Sequence, residues 1–226
     1  DCLPYFRKME TSDKGVNEWR GGNGPQSIET AKANHPLNRA FLLAGKQAGY
    51  DYTEDQNGKK HEGFHVAQSF TRNGKRCSAA RAYLYPALKR PNLKVETNCM
   101  VNQVQFDGRR AVKVVAEQRG NRVIFEANRE IILCGGAINS PQLLMLSGVG
   151  QPNHLKEHGI TNIADVPAVG KNLENHVIAA VTYGSPAGVS LAEKLNGWRK
   201  YQVGLQWLLF KNGIGASTMC ETGSFF

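Results

Sequence analysis

From Pro36 onward, the apolar residues Leu37, Ala40, Phe41, Ala44 and Ala48 recur on one helical face, and Gly49 ends the run. The spacing predicts an α-helix there. Upstream, residues 1–10 read as the end of a helix, and Glu18 to Pro25, rich in glycine, as a loop. A polar loop follows the helix as far as Gly63. Phe64 to Phe70 is then a strand candidate, and Ser78 to Leu84 a short helix closed by Pro86.

The middle of the chain is β-rich. Leu93–Thr97, Met100–Phe106, Ala111–Glu117, Arg122–Glu126 and Glu130–Leu133 are strand candidates, with turn formers at Asp107-Gly108 and Gly120-Asn121. The natural arrangement is an antiparallel meander. Ile131 to Cys134 is apolar on both faces, which suits a central buried strand. The run Ser140 to Gly148 carries helix punctuation: a hydroxyl for the N-cap, Pro141 at the first helical position and Gly148 past the end. A short helix (Pro152–His158), an apolar strand (Val177–Tyr183), an amphipathic helix (Trp198–Phe210) and a last strand-like segment complete the pattern. The fold class is α/β.

Composition adds little to that class: 41% hydrophobic and 21% charged residues describe an ordinary globular chain, not a disordered one. No apolar run reaches the ~18 residues of a membrane span. The start lacks an initiator Met or a signal pattern, and the end stops inside a strand-like segment, so both ends read as cut.

Charge changes the picture more. The net charge is +9, and Arg72, Lys75, Arg76, Arg81, Lys89, Arg90 and Lys94 follow one another with no acid between them. Clustered cations attract phosphates, yet no nucleic-acid-binding signature accompanies them, so nucleic acid is not an expected partner. A localised anion such as a cofactor pyrophosphate, or a solvated face, accounts better for the cluster.

Cys2, Cys77, Cys99, Cys134 and Cys220 are scattered, with no CxxC pair, so neither a disulfide framework nor a zinc site is expected. Cys99 and Cys134, in apolar runs, read as small buried hydrophobes. This usage places the chain in a reducing compartment, cytoplasmic by default, with a membrane-associated or mitochondrial full-length protein as the other option. His61 and His65, and His154 and His158, stand four apart but lack a third ligand. They read as surface histidines, and no metal is expected.

The segment with most chemistry is Cys134-Gly135-Gly136-Ala137-Ile138-Asn139-Ser140-Pro141. Strand, glycine pair and helix present backbone N–H groups and a positive helix end to an anion. Glycine lets such a group approach without a Cβ in its way. A merely structural turn has the same ingredients.

Gly136 to Gly150 also resembles, throughout its length, the second signature of the glucose–methanol–choline oxidoreductases. Val169-Gly170-Lys171-Asn172-Leu173-Glu174-Asn175-His176 is similar to that family's Val-Gly-x-Asn-Leu-x-Asp-His element, with Asn175 in place of the usual acid. Ser78 to Leu84, Arg90 to Leu93 and Asp1 to Phe6 carry the resemblance across nearly the whole chain, nearest to the choline dehydrogenase-like branch.

The resemblance implies FAD as cofactor and a small-molecule alcohol as substrate, oxidised to an aldehyde by hydride transfer to the flavin, with choline the leading candidate. It implies that the backbone of Val101 meets the adenine, that Gly135 and Gly136 line the ribose and pyrophosphate, and that Asn172 and His176 approach the flavin side. Glu221, in Met219-Cys220-Glu221-Thr222-Gly223, is similar to a glutamate that faces a quaternary ammonium in the choline-oxidising branch. Oxygen or a membrane quinone would accept the electrons.

No G-x-G-x-x-G occurs, and no residue here matches the family's catalytic histidine. The expectation is therefore an internal fragment without a catalytic residue, inactive alone. It would comprise a linker or lid region (1–30), a substrate-domain segment (31–70), part of a Rossmann-like FAD-binding domain containing the meander (71–176), and the beginning of a substrate-binding domain (177–226). The rival readings are a related enzyme acting on another alcohol or as a lyase, and a non-catalytic binding protein or remnant.

Overall fold

The computed structural model describes residues 1–184 and 188–226. It resolves into two compact units, one formed by Asp1–Leu93 with Thr182–Phe226 and the other by Lys94–Val181.

In the first unit, α1 (Leu3–Met9) leads into β1 (Glu10–Ser12), which lies parallel to β2 (Gln26–Thr30). Helix α2 (Pro36–Gln47) forms as its periodicity requires. His35 caps it by accepting the Leu37 N–H on Nδ1 at 3.3 Å, Pro36 starts it, and Gly49 leaves it at φ +85°. Gly45 is needed inside this helix: a Cβ would stand 2.5 Å from the ring of Phe64, which is buried beneath it.

The expected strand from Phe64 to Phe70 is split in two. Its first half is β3 (Gly63–Val66) and its second β4 (Gln68–Ser69). Ala67 is the hinge, its N–H donating to Glu221 O and its C=O accepting from Ala31 N–H, both at 2.9 Å. β4 pairs antiparallel with β2, while β3 pairs with a strand from the far end of the chain. A hairpin follows, β5 (Thr71–Arg72) and β6 (Lys75–Arg76), turned by Asn73 and Gly74 at φ +51° and +66°. Two positive φ values define the tight turn that Asn-Gly favours.

The expected short helix is wound as a π-helical turn over Ala80–Leu84, and Pro86 does not close it. Proline sits instead in the first turn of α3 (Tyr85–Ala87), where its missing N–H costs nothing.

The second unit is built on the predicted meander: β7 (Cys99–Asp107), β8 (Arg110–Gln118) and β9 (Asn121–Glu126), all antiparallel. The first turn falls where expected. The second is one residue early, at Arg119-Gly120, both with positive φ. Val104 and Ala116 are buried on one face of this sheet and Val115 on the other. α4 (Gly136–Leu146) packs on β7, and β10 (Val149–Gly150), α5 (Pro152–Glu157) and β11 (Ala164–Asp165) follow, with β10 and β11 parallel around buried Leu155.

Three expected strands do not form. Leu93–Thr97, Glu130–Leu133 and Val177–Tyr183 are irregular chain with no strand partner among the described residues. Consequently Ile132, Val177 and Ile178 are 73%, 99% and 86% exposed, and Cys134, expected to be buried, is exposed. An apolar run becomes a strand only when a neighbour takes its backbone hydrogen bonds.

The first unit closes with α6 (Leu191–Leu195), α7 (Arg199–Phe210) and β12 (Thr222–Phe225), which pairs with β3 as the predicted terminal strand. α7 forms where its periodicity places it. Its apolar side chains are largely uncovered, only Val203 and Trp207 among them being half-buried.

Candidate functional site

The residues expected to face a flavin all lie in the second unit. Val101 is on β7 opposite Ala116, 39% exposed, and the strand bulges immediately after it, between Val101 and Gln103. A bulge interrupts the ladder and re-aims backbone groups, so Val101 occupies the place on this strand where main chain turns from pairing. Asn98, just before the strand, adds φ +53°.

Gly135 is the N-cap of α4 and Gly136 its first residue. The expected cap is thereby corrected: Ser140 lies inside the helix, not before it, and Pro141 is an interior proline. Ser140 still caps in another way, its Oγ accepting the Gly135 N–H at 2.9 Å. Gly136 has φ +83°, and a Cβ built on it would meet nothing within 4 Å. The helix thus begins in a conformation only glycine adopts easily, opens onto free space, and has no acid in its first turn. Those are the requirements for receiving a phosphate-bearing group, and the pyrophosphate of a flavin dinucleotide fits them.

β7 and α4 are fastened by a buried hydroxyl. Ser147, 2% exposed, accepts the Val104 N–H on Oγ at 2.8 Å and donates to Leu143 O at 2.6 Å. Asn172 takes φ +55° in an exposed loop, and exposed His176 donates its backbone N–H to Asn175 Oδ1 at 2.8 Å. Asn175, which stands where the family carries an acid, is therefore turned toward its own backbone.

Glu221 belongs to the first unit. It is half-buried beside β12, its backbone held by Ala67 and its Oε2 accepting from Asn38 Nδ2 at 3.0 Å. Thr222 Oγ1 reaches Asn38 Oδ1 at 3.4 Å, so the amide is fixed from both ends. Glu221 lines a cavity of about 620 Å³ together with Asp13, Glu29 and Phe210, and with the cations Lys32 and Lys211. A carboxylate on such a wall, with an aromatic ring nearby, can receive a cation.

His65 is not the surface residue expected. It is 3% exposed, stacked on Phe225 with ring centroids 5.2 Å apart. His61 stacks on the same ring at 4.2 Å but remains exposed, and the His154 and His158 rings lie edge to face at 4.8 Å. Among the described residues no group of three or more His, Cys, Asp or Glu could hold a metal.

The family model for GMC oxidoreductases matches residues 1–178. This chain belongs to the GMC oxidoreductase family. The oxygen-dependent choline dehydrogenase of Brucella ovis is 45% identical over the whole chain, which spans 41% of that relative. The mitochondrial choline dehydrogenase of Mus musculus is 46% identical over 99% of the chain, which spans 38% of that protein. Among solved structures, a formate oxidase from Aspergillus oryzae, described for its FAD modification, matches with a TM-score of 0.82 and 26% identity, covering 97% of this chain and 40% of that one. A pyridoxine 4-oxidase matches at 32% identity and a TM-score of 0.69, covering 73% of this chain and 33% of that one. The mixed α/β architecture is part of the FAD-binding fold of these GMC oxidoreductases, and the chain spans about two-fifths of the length of the relatives it matches.

Two positioning residues escaped the sequence reading. Asn38 sits 183 residues from Glu221 and carries no local signal of that partnership. Ser147 carried no signal of its own in the sequence, and only the packing of α4 on β7 reveals its hydrogen bond.

Proposed function

We propose that this chain forms part of an FAD-dependent oxidoreductase that oxidises choline to its aldehyde, with hydride passing to the flavin. The observation that carries this reading is identity of 45% along the full chain to oxygen-dependent choline dehydrogenases. The half-buried Glu221 carboxylate held at a cavity wall supports it.

In this reading Val101 offers backbone at the β7 bulge to the adenine. Gly135 and Gly136 leave room for ribose and pyrophosphate at the positive end of α4. Asn172 and His176 approach the flavin from the exposed loop, and Glu221 receives the quaternary ammonium. FAD supplies the hydride acceptor. This chain supplies the walls that hold the cofactor and orient the alcohol, and its own sequence presents no general base matching the family pattern. In keeping with that, the isolated chain is expected to be inactive. A mitochondrial or other membrane-linked setting, with oxygen or a quinone as acceptor, belongs to this proposal as well.

The similarity to pyridoxine 4-oxidase favours a second reading, an alcohol other than choline. Substrate screening of the protein expressed from its complete reading frame separates the two. Choline oxidation that loses affinity about tenfold in Glu221→Gln, as loss of an ion–carboxylate contact predicts, supports the first. Turnover of other primary alcohols with choline inert overturns it.

A further inference from the structure

The run of cations from Arg72 to Lys94 is not used by the reading above, and the fold gathers part of it. The β5–β6 hairpin carries Lys75 and Arg76, and its turn is pinned to α7 by Trp207 Nε1–H donating to Gly74 O at 2.8 Å. Glycine is required at that turn: a Cβ would collide with the Lys211 carbonyl. The π-helical turn brings Arg81 to the same place. Lys75, Arg76 and Arg81 line two adjoining cavities of about 380 and 490 Å³.

The larger cavity adds Arg72 and Lys211 and is lined by no carboxylate. The smaller adds Ser78 and Ser217. Ser78 Oγ accepts the Arg81 N–H at 3.4 Å and Ser217 Oγ the Met219 N–H at 3.0 Å, which leaves both hydroxyl hydrogens free to donate outward. Among the described residues, Lys75, Arg76 and Arg81 are in no ion pair. The acid that reaches the hairpin, Glu29, is occupied. Its Oε2 accepts from Thr71 Oγ1 at 2.7 Å and its Oε1 from Asn73 N–H at 3.1 Å.

Cations on a flat surface are normally satisfied by water. Here three converge on a concave wall, where neighbouring low-dielectric protein focuses their field, and two of them carry the planar fork that matches an oxyanion. We propose that this cleft binds a phosphate group, held by Arg76 and Arg81 with Lys75 and the Ser78 and Ser217 hydroxyls. The group can arrive as free phosphate or on a lipid headgroup.

The test uses the full-length protein that carries this chain, at low ionic strength. Inorganic phosphate is titrated in one arm by calorimetry. In the other, the protein is floated with vesicles of phosphatidylcholine, with and without phosphatidylglycerol. Removing one charge-assisted donor weakens binding about tenfold, so Arg76→Gln and Arg81→Gln should each do so while Lys89→Gln, outside both cavities, does not. All three sites are exposed, and an unchanged far-UV circular dichroism spectrum shows that the variants remain folded. Saturable phosphate binding with this pattern assigns free phosphate. Flotation only with phosphatidylglycerol vesicles, with the same pattern, assigns a headgroup. Absence of both, or binding indifferent to Arg76 and Arg81, overturns the proposal.

Discussion

Asn38 donates from Nδ2 to Glu221 Oε2 at 3.0 Å, joining the first turn of α2 to the residue just before β12. An amide, unlike a cation, brings no opposing charge to the carboxylate it holds. The direction of Glu221 is thus set by a helix from a distant part of the chain.

Replacing Asn38 should separate orientation from charge. In the complete enzyme, Asn38→Ala is expected to raise the KM for choline by about tenfold, the worth of one hydrogen bond to a charged group, with kcat changed less. Steady-state kinetics measures the split. An equal fall in kcat with KM unmoved would show that Asn38 does not act through Glu221.

Ser147 tests the join between β7 and α4. Ser147→Ala leaves the buried Val104 N–H without its partner, a loss of about 1–3 kcal/mol. Urea denaturation followed by circular dichroism should show a lower midpoint. Unchanged stability would mean that water replaces the hydroxyl.

Gly136 should matter for cofactor more than for packing. Its Cβ would meet no atom, but its φ of +83° strains any other residue by about 1–2 kcal/mol. Gly136→Ala in the complete enzyme is therefore expected to fold and to lose FAD affinity, read from retained flavin absorbance. Full flavin occupancy in that variant would remove Gly136 from the proposed cofactor wall.

Arg20 is a buried cation of the first unit, 3% exposed, with Nε 3.5 Å from Oε1 of the likewise buried Glu10 and 3.4 Å from Asp55 Oδ2. Its Nη2 also donates to Gln68 Oε1 at 2.7 Å. Removing one partner of a buried pair leaves an uncompensated charge and costs about 3–5 kcal/mol. Arg20→Met should therefore lower the thermal midpoint far more than Lys60→Met, whose exposed pair with Asp51 is screened by water. Equal effects would refute that ranking.

The surface pair has its own pH signature. A hydrogen bond from Lys60, and then its charge, hold the Asp51 carboxyl below its ordinary value. A group with a depressed folded value stabilises above its unfolded value and loses that contribution as pH falls through the folded one. The small contribution of Asp51 should be present at neutral pH and vanish on acidification through the carboxylate range. Comparing Asp51→Asn with the parent chain across that range checks it: the two stabilities should converge at low pH and differ at neutral pH.

Local chemistry was readable directly. Helix α2, the β7–β8–β9 meander, α7 and the terminal strand follow from periodicity and turn residues, which act over a few neighbouring positions. The family was legible for the same reason, since Gly136 to Gly150 and Val169 to His176 are continuous stretches. The Ser140 cap misled because the helix starts earlier, at Gly136 in the left-handed region, which leaves Ser140 and Pro141 inside it at the cost of one intrahelical hydrogen bond.

What the sequence could not determine depended on partners. Ile131 to Cys134 and Val177 to Tyr183 have strand composition but remain unpaired, because composition supplies propensity and only a neighbouring backbone supplies the ladder. The break at Ala67 exists because β12 and β2 claim opposite sides of one chain segment. The same holds for function. The sequence by itself determined that Glu221, the glycine pair and the basic run are present. The tertiary structure decided that Asn38 holds Glu221, that Ser147 fastens the strand of Val101 to the helix of Gly136, and that Lys75, Arg76 and Arg81 share one cleft, because contacts between residues far apart in sequence are settled by packing.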